Sequence, residues 1–216
     1  MNNLGRIVLL PAREQVASVL RKAILSKELE KGQEITLEGI ASQVGVSSMP
    51  VREAFQILAS DGLIKLRPNK GAVVLGINKK TIKDHFETRA ILESEAAARA
   101  SAVGADIAGI ENAYNLSAQA QKINNYNEYS EHNQAFHMAI WKAADNAKMT
   151  SILSSLWNGL AMGNDVTEED YAKVSIKEHG QILDAIKAHD AAKAKDLMYK
   201  HTIRSMDDMM THYNSQ

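Results

Sequence analysis

The chain has 216 residues, a formal net charge of −1 and no cysteine. That length allows one large or two small domains, each with a packed core, and the missing cysteine excludes disulfides and thiolate metal sites and suits a reducing compartment. No stretch approaches a membrane span, and the apolar run Ile7-Val8-Leu9-Leu10 is too short for a signal-peptide core with a cleavage site, so a cytoplasmic protein with no membrane partner is expected.

Charge is divided unevenly along the chain. Through Asn78 there are 10 Lys+Arg against 7 Asp+Glu, and from Lys79 onward 15 against 19. A mildly basic front and an acidic rear suit a nucleic-acid module joined to a part that does not touch phosphates. The expected boundaries are 1–78 and 79–216.

Residues 1–11 read as a loose arm. From Arg13 to about Ser26, Val16, Val19, Leu20, Ala23, Ile24 and Lys27 follow a helical period with the apolar residues inward. Lys31-Gly32 breaks the chain, and Thr36 caps a short helix containing Leu37, Ile40, Ala41 and Val44. Gly45 then turns into a second helix. Ser47 is a suitable N-cap because its hydroxyl can accept from a free backbone N–H, and Pro50 falls in the first turn, where its missing N–H costs little. Val51, Ala54, Phe55 and Leu58 recur at helical steps as one apolar stripe. Asp61-Gly62 ends that helix, the glycine being able to take φ > 0. Two β-prone runs follow, Leu63-Ile64-Lys65-Leu66 and Ala72-Val73-Val74-Leu75, joined by Arg67-Pro68-Asn69-Lys70-Gly71. Helix, helix, helix, hairpin is the order of a winged helix-turn-helix. The outer face of the recognition helix carries Ser47, Ser48, Met49, Arg52 and Gln56, and the wing carries Arg67, Asn69, Lys70 and Gly71. These nine residues are the candidate contacts to double-stranded DNA. Arg52 could instead be a surface residue paired with Glu53 or Gln56.

The rear contains no proline and reads as six helices, near 79–103, 106–122, 126–145, 147–163, 169–188 and 190–212, which implies an all-α antiparallel bundle. Three of its histidines lie on apolar stripes. His137 shares a face with Ile140, Trp141 and Ala144; His179 with Ile176, Ile182, Leu183 and Ile186; His201 follows Leu197 and Met198. A histidine facing a bundle interior must satisfy two ring nitrogens, and a metal ion does so economically. Each histidine taken alone is better explained by a hydrogen-bonded core position than by a metal, and it is three converging in one cavity that alter the balance. Asn133, one turn before His137, could reach the same ion. His85, His132, His189 and His212 read as surface residues. Glu178, adjacent in sequence to His179, reads as pointing off that face.

Val46-Ser47-Ser48-Met49-Pro50-Val51-Arg52-Glu53-Ala54-Phe55, with Leu58, Asp61-Gly62-Leu63 and Gly71, strongly resembles the GntR family of bacterial transcription regulators. The resemblance implies that Ser47 and Arg52 contact DNA and that the Asn69-Lys70-Gly71 wing tip reaches the adjacent minor groove. Relatives often carry arginine at the position of Ser48, so a different operator sequence is implied, arginine to guanine being the commonest specific contact. Further on, Arg89-Ala90-Ile91-Leu92-Glu93, Ala96-Ala97, Asn133-Gln134-Ala135-Phe136-His137, Glu178-His179 and Met198 with His201 resemble the FCD ligand-binding domain of the FadR branch of that family. This resemblance implies that Asn133, His137, His179 and His201 bind a divalent metal, with asparagine standing where aspartate is usual. Three imidazoles and one neutral oxygen favour Zn²⁺ or Ni²⁺ over Mg²⁺. It also implies that Arg89 holds the carboxylate of a small organic acid, as a guanidinium fork and a metal grip a carboxylate from two sides; an ordinary pair with Glu93 is the alternative. Trp157, Asn158 and Met162 could line the cavity, with Asn158 the further candidate for effector binding.

The expectation is therefore a homodimeric DNA-binding regulator, expected to be a repressor rather than an enzyme. Its recognition helices would lie about one helical turn apart on a pseudo-palindromic operator, and a metal-bound carboxylate would shift the dimer's arrangement. The alternatives are a metal-dependent hydrolase with a nucleic-acid-targeting head, for which no carboxylate stands ready as general base, and a regulator that senses the metal itself.

Overall fold

The computed structural model describes residues 11–68, 70–76, 78–157 and 168–215, divided between two compact units, Met1–Ile77 and Asn78–Gln216. The front unit is built from α1 (Ala12–Leu25), β1 (Glu34–Ile35), α2 (Leu37–Val44), α3 (Ser48–Ser60), β2 (Ile64–Arg67) and β3 (Gly71–Val74). In α1 the buried stripe runs through Val16, Ala17, Leu20, Arg21 and Ile24. Val19, expected inward, is half exposed because it lies well round the helix from the centre of that stripe. Lys27, also expected on the stripe, is past the helix end with φ 62°. Arg21 stays inside because its guanidinium meets the Asp61 carboxylate, 40 residues on, at 2.5 Å.

Thr36 caps α2, its hydroxyl accepting from the Gly39 N–H at 3.0 Å, and Gly45 turns the chain at φ 70°. The α3 stripe of Val51, Ala54, Phe55 and Leu58 is fully buried. Ser47 occupies the N-cap of α3, but its hydroxyl makes no capping bond, contrary to the expectation. The strands form one antiparallel sheet in the order β1-β3-β2, with Ile64 opposite Val74, Arg67 opposite Gly71 and Ile35 opposite Ala72. Two-residue β1 adds a strand that periodicity could not reveal, since two residues hold no alternation. Gly71 has φ 88°, and a Cβ there would lie 2.1 Å from the Ile35 carbonyl oxygen. The close approach of β1 to β3 therefore requires glycine.

The rear unit contains α4 (Lys79–Ala100), α5 (Ala108–Lys122), α6 (Tyr126–Ala143), α7 (Ala147–Leu156), α8 (Glu168–Lys187) and α9 (Ala191–Ser215). Asn78, Asn125 and Asn146 cap α4, α6 and α7 through their side-chain oxygens, satisfying N–H groups that a helix start leaves open. Asn124, Asp145 and His189 take positive φ at the breaks. The expected helix over 147–163 ends its described part at Leu156, and residues 158–163 lie outside the described residues. Helix α4 packs chiefly on α9, α5 on α6 and α8, and α8 on α9. Ala96, Ala97, Ala100, Phe136, Ile140, Trp141, Ile182, Ile186, Ala194 and Met198 form the core. Among the described residues no helix is long and apolar enough to cross a membrane.

Candidate functional site

The three stripe histidines arrive from three helices, His137 on α6, His179 on α8 and His201 on α9, and are 2%, 0% and 3% exposed. One ring nitrogen from each lies within 4.8 Å of the others. His179 Nε2 and His201 Nε2 are 3.3 Å apart. Phe136 stacks on the His179 ring at 4.2 Å between centroids, and Trp157 tilts over His137 at 5.2 Å. Asn133 is buried one turn before His137, its Oδ1 facing the Tyr129 hydroxyl at 3.5 Å.

Outside the histidines stand two arginine–carboxylate pairs. Glu93 Oε2 lies 2.5 Å from His137 Nδ1, while Glu93 Oε1 accepts from Arg89 Nε at 2.9 Å and Nη2 at 2.5 Å. The Arg89 guanidinium also lies 4.9 Å from the Trp157 ring centroid, within cation–π range. On the other side Glu178 Oε2 lies 2.7 Å from His201 Nδ1, and Arg204 Nε donates to both Glu178 oxygens at 2.8 and 2.9 Å. Arg204 also donates to Asp208 at 2.5 Å and to Ser175 at 2.9 Å, and lies 5.0 Å from the Tyr171 ring centroid. Two carboxylates thus stand beside the histidines, each against a ring Nδ1, which does not make either the general base that the sequence was expected to lack. Glu178 does leave the face of its neighbour His179, but in doing so it reaches across to α9. Both carboxylates meet Nδ1, and in His201 that is the side away from the Nε2 that faces His179, so Glu178 is not placed as a base for a water held there. The Arg89–Glu93 pair was legible as an i,i+4 spacing; the His201–Arg204–Asp208 spacing on α9 was the missed signal for the other.

Burial and charge set the ionisation. Burial acts to raise the Glu93 carboxyl, but the Arg89 guanidinium and the His137 ring beside it hold it well below the ordinary carboxylate range. Burial likewise opposes Glu178, whose bond to His201 and attraction to Arg204 leave it lowered. Burial and the neighbouring rings drive His179 well below the ordinary histidine value, and burial takes His201 down to about 4 against the pull of Glu178. At neutral pH His179 and His201 are therefore neutral imidazoles, the form that ligates metal.

The three imidazoles could hold a metal of the zinc class, and one pair of them already has its spacing. Zn–N bonds of about 2.0–2.1 Å in tetrahedral geometry put ligand nitrogens about 3.3–3.4 Å apart, and the His179–His201 separation is 3.3 Å. His137 and His201 both have Nδ1 engaged by a carboxylate, so both Nε2 atoms are available to an ion. His179 Nδ1 is buried without a hydrogen-bond partner among the described residues, so the polar outlet of that ring is Nε2. Arg89 is buried in its pair with Glu93 rather than lying at the surface. Asn158 and Met162 lie outside the described residues. His85 and His132 are half-buried and His189 is exposed, its ring meeting the Ser101 carbonyl at 3.0 Å; the His212 side chain lies outside the described residues.

On the front unit, Ser47, Met49, Arg52 and Gln56 are exposed and Ser48 is half-buried at the start of α3. Glu53 pairs with Arg13 of α1 at 3.9 Å rather than with Arg52. On the wing Arg67 and Lys70 are exposed, Arg67 ion-paired with Glu34 of β1, and Gly71 is half-buried. Asn69 lies outside the described residues. The surface of α3 thus offers hydroxyl, amide and guanidinium groups of the kind that read base edges and phosphates.

Comparison with known proteins places both units. The profile of the bacterial regulatory proteins of the gntR family matches residues 12–74, and that of the FCD domain matches residues 84–204. The gluconate operon transcriptional repressor of Bacillus subtilis is 29% identical over 209 residues, covering 90% of this chain and 82% of that protein. Among solved structures, McbR/YncC of Escherichia coli superposes with a TM-score of 0.72 at 21% identity, covering 95% of this chain and all of the other. The metal-free FCD domain of TM0439 superposes with a TM-score of 0.56 at 16% identity, covering 65% of this chain and 99% of that domain.

Proposed function

The chain belongs to the gntR family of bacterial regulatory proteins and carries an FCD domain; it is a DNA-binding transcription regulator, and from that premise we propose that it is a repressor whose grip on its operator is controlled by a small carboxylate bound beside a divalent metal. Residues 1–78 serve as the DNA-binding domain and 79–216 as the effector-binding and dimerisation domain. The protein works in the cytoplasm as a homodimer on double-stranded operator DNA. Ser47, Ser48, Met49, Arg52 and Gln56 enter the major groove, and Arg67, Asn69, Lys70 and Gly71 form the wing contact. The relatives above are regulators rather than enzymes, and the placement of Glu178 on the Nδ1 side of His201 argues against metal-dependent hydrolysis.

The observation that carries the effector reading is the convergence of His137, His179 and His201 within 4.8 Å, with a buried arginine one hydrogen-bonded carboxylate away. FCD domains can hold metals, and Asn133, His137, His179 and His201 are the proposed ligands, with Zn²⁺ or Ni²⁺ suited to the donor set. A bound divalent ion would supply a positive centre to which carboxylate oxygens are drawn. All four donors are neutral, and Arg89 and Glu93 cancel each other's charge. Two positive charges are then left inside a buried site, where an unpaired charge is costly. An anionic effector relieves that cost, with Arg89 and Asn158 the proposed contacts to it.

Coupling to DNA requires the effector to bind the two dimer arrangements with different affinity, and the shift cannot exceed that difference. A thermal-unfolding screen of small carboxylates, gluconate and other sugar acids among them, on metal-loaded and chelator-stripped protein tests the site. The expected result is a stabilising acid whose effect vanishes on stripping. Equal operator affinity with and without that acid at saturation would overturn the regulatory link.

A further inference from the structure

We infer that Glu93 and Glu178 are positioning residues of the histidine centre: each pins one ring in the Nδ1–H tautomer and so turns its Nε2 toward the shared point, and each is itself held in place by an arginine. This rests on the metal reading above. The pattern occurs twice, on different helices. Arg89 and Glu93 of α4 serve His137 of α6, and Arg204 of α9 with Glu178 of α8 serves His201. An ionised carboxylate only accepts hydrogen bonds. Distances of 2.5 and 2.7 Å to Nδ1 therefore require the proton on Nδ1 in both rings. Outer carboxylates of this kind orient a ligating imidazole and raise its basicity.

The arginines explain why the carboxylates stay charged and still. Glu93 is fully buried, and without Arg89 it would be an uncompensated charge. Arg204 is fixed further by Asp208, Ser175 and the Tyr171 ring. Glu93 is also shared, so Arg89 and His137 belong to one hydrogen-bonded chain. Any anion that draws on Arg89 thereby reaches the histidine centre through a single intervening side chain.

A consequence follows for the third ring. With His201 carrying its proton on Nδ1, His201 Nε2 is an acceptor, and His179 Nε2 lies 3.3 Å from it. In the metal-stripped protein His179 is then the Nε2–H tautomer and donates to His201. Ligating a metal through Nε2 moves that proton to His179 Nδ1, where no partner waits among the described residues. Two rings are prepared for an ion and the third must change to receive it.

The test uses the full chain stripped of metal by chelator. Ring ¹⁵N shifts read the tautomers directly, and the expected result is Nδ1–H at His137 and His201 and Nε2–H at His179. Zinc affinity is then measured by competition with a chromophoric chelator for the wild type, Glu93→Gln and Glu178→Gln, with the exposed, ion-paired Glu95 as the Glu95→Gln control. Each of the first two substitutions is expected to weaken zinc binding about ten- to a hundredfold, while Glu95→Gln leaves it unchanged. Glu93→Gln strands the Arg89 charge and risks misfolding, so half-buried Glu178→Gln and the wild-type tautomers carry the test by themselves. Nε2–H at His137 or His201 in the stripped wild type overturns the inference, as does unchanged zinc affinity in a folded Glu178→Gln. A wild type that binds no zinc overturns the metal reading, and the tautomers still decide the positioning role.

Discussion

The two units differ in what they bury. Among the described residues, the interior of the front unit is apolar from Val16 to Val74 apart from Arg21, which is tied to Asp61. The rear unit encloses Arg89, Glu93, Asn133 and three histidines within an otherwise aliphatic and aromatic core. Several buried hydroxyls there merely return to their own helix, as Ser101 does to Ala97 and Thr202 to Met198. The carboxylates of Glu93 and Glu178 instead reach across between helices, to His137 and to His201 with Arg204. The front is held by packing and presents its chemistry outward; the rear holds its chemistry inside, where each polar group must be matched or becomes a liability.

The sharpest way to break this contrast is Phe55→Ala. It empties a fully buried position at the centre of the front core and should cost about 3–5 kcal/mol. Calorimetry should show the front transition lowered or lost together with operator binding, while the rear transition and zinc affinity stay as they were. A common shift of both transitions would mean that the units do not fold separately.

Metal removal is the reciprocal test. At free zinc a hundred times its Kd, binding supports the rear unit by about 2.7 kcal/mol, so chelation should lower the rear transition by several degrees and leave the front one in place. No change in either transition would count against the metal reading.

Acid sharpens the same contrast in stripped protein. His201 is depressed to about 4 from an ordinary 6.5, with burial the main cause, and His179 is depressed as well. The unfolded chain therefore binds more protons than the folded one between those values. Their stabilising contribution is present above about pH 6.5 and is lost as pH falls toward 4, by at most about 1.4 kcal/mol per pH unit for each group. The front unit has no histidine. Melting curves over that window should show the rear transition falling first, and parallel decline of both would remove the histidines as the cause.

Arg52→Ala should have the smallest effect on folding, within about 0.5 kcal/mol, as an exposed residue outside the core. Its effect belongs on the outside of the molecule: weaker operator binding, with a salt dependence shallower by about one unit if the contact is to phosphate. Unchanged binding isotherms at two salt concentrations would remove Arg52 from the DNA surface.

Most of the fold was readable from local pattern. The stripes Val51-Ala54-Phe55-Leu58 and His179-Ile182-Leu183-Ile186 are properties of neighbouring residues on one helix, and so are the caps at Thr36 and Gly45. Periodicity and capping act over a few residues, and a sequence records them directly. The inward direction of His137, His179 and His201 was legible on the same grounds. What periodicity could not supply were meetings between distant segments. Arg21 with Asp61, β1 beside β3 at Gly71, Glu178 across to His201 and Glu93 across to His137 each join residues on different elements. Side-chain type and spacing determined which helices would form and which faces would turn inward. Only the packing of those helices decided which charges would meet, because a pairing between elements depends on distances that no single element contains.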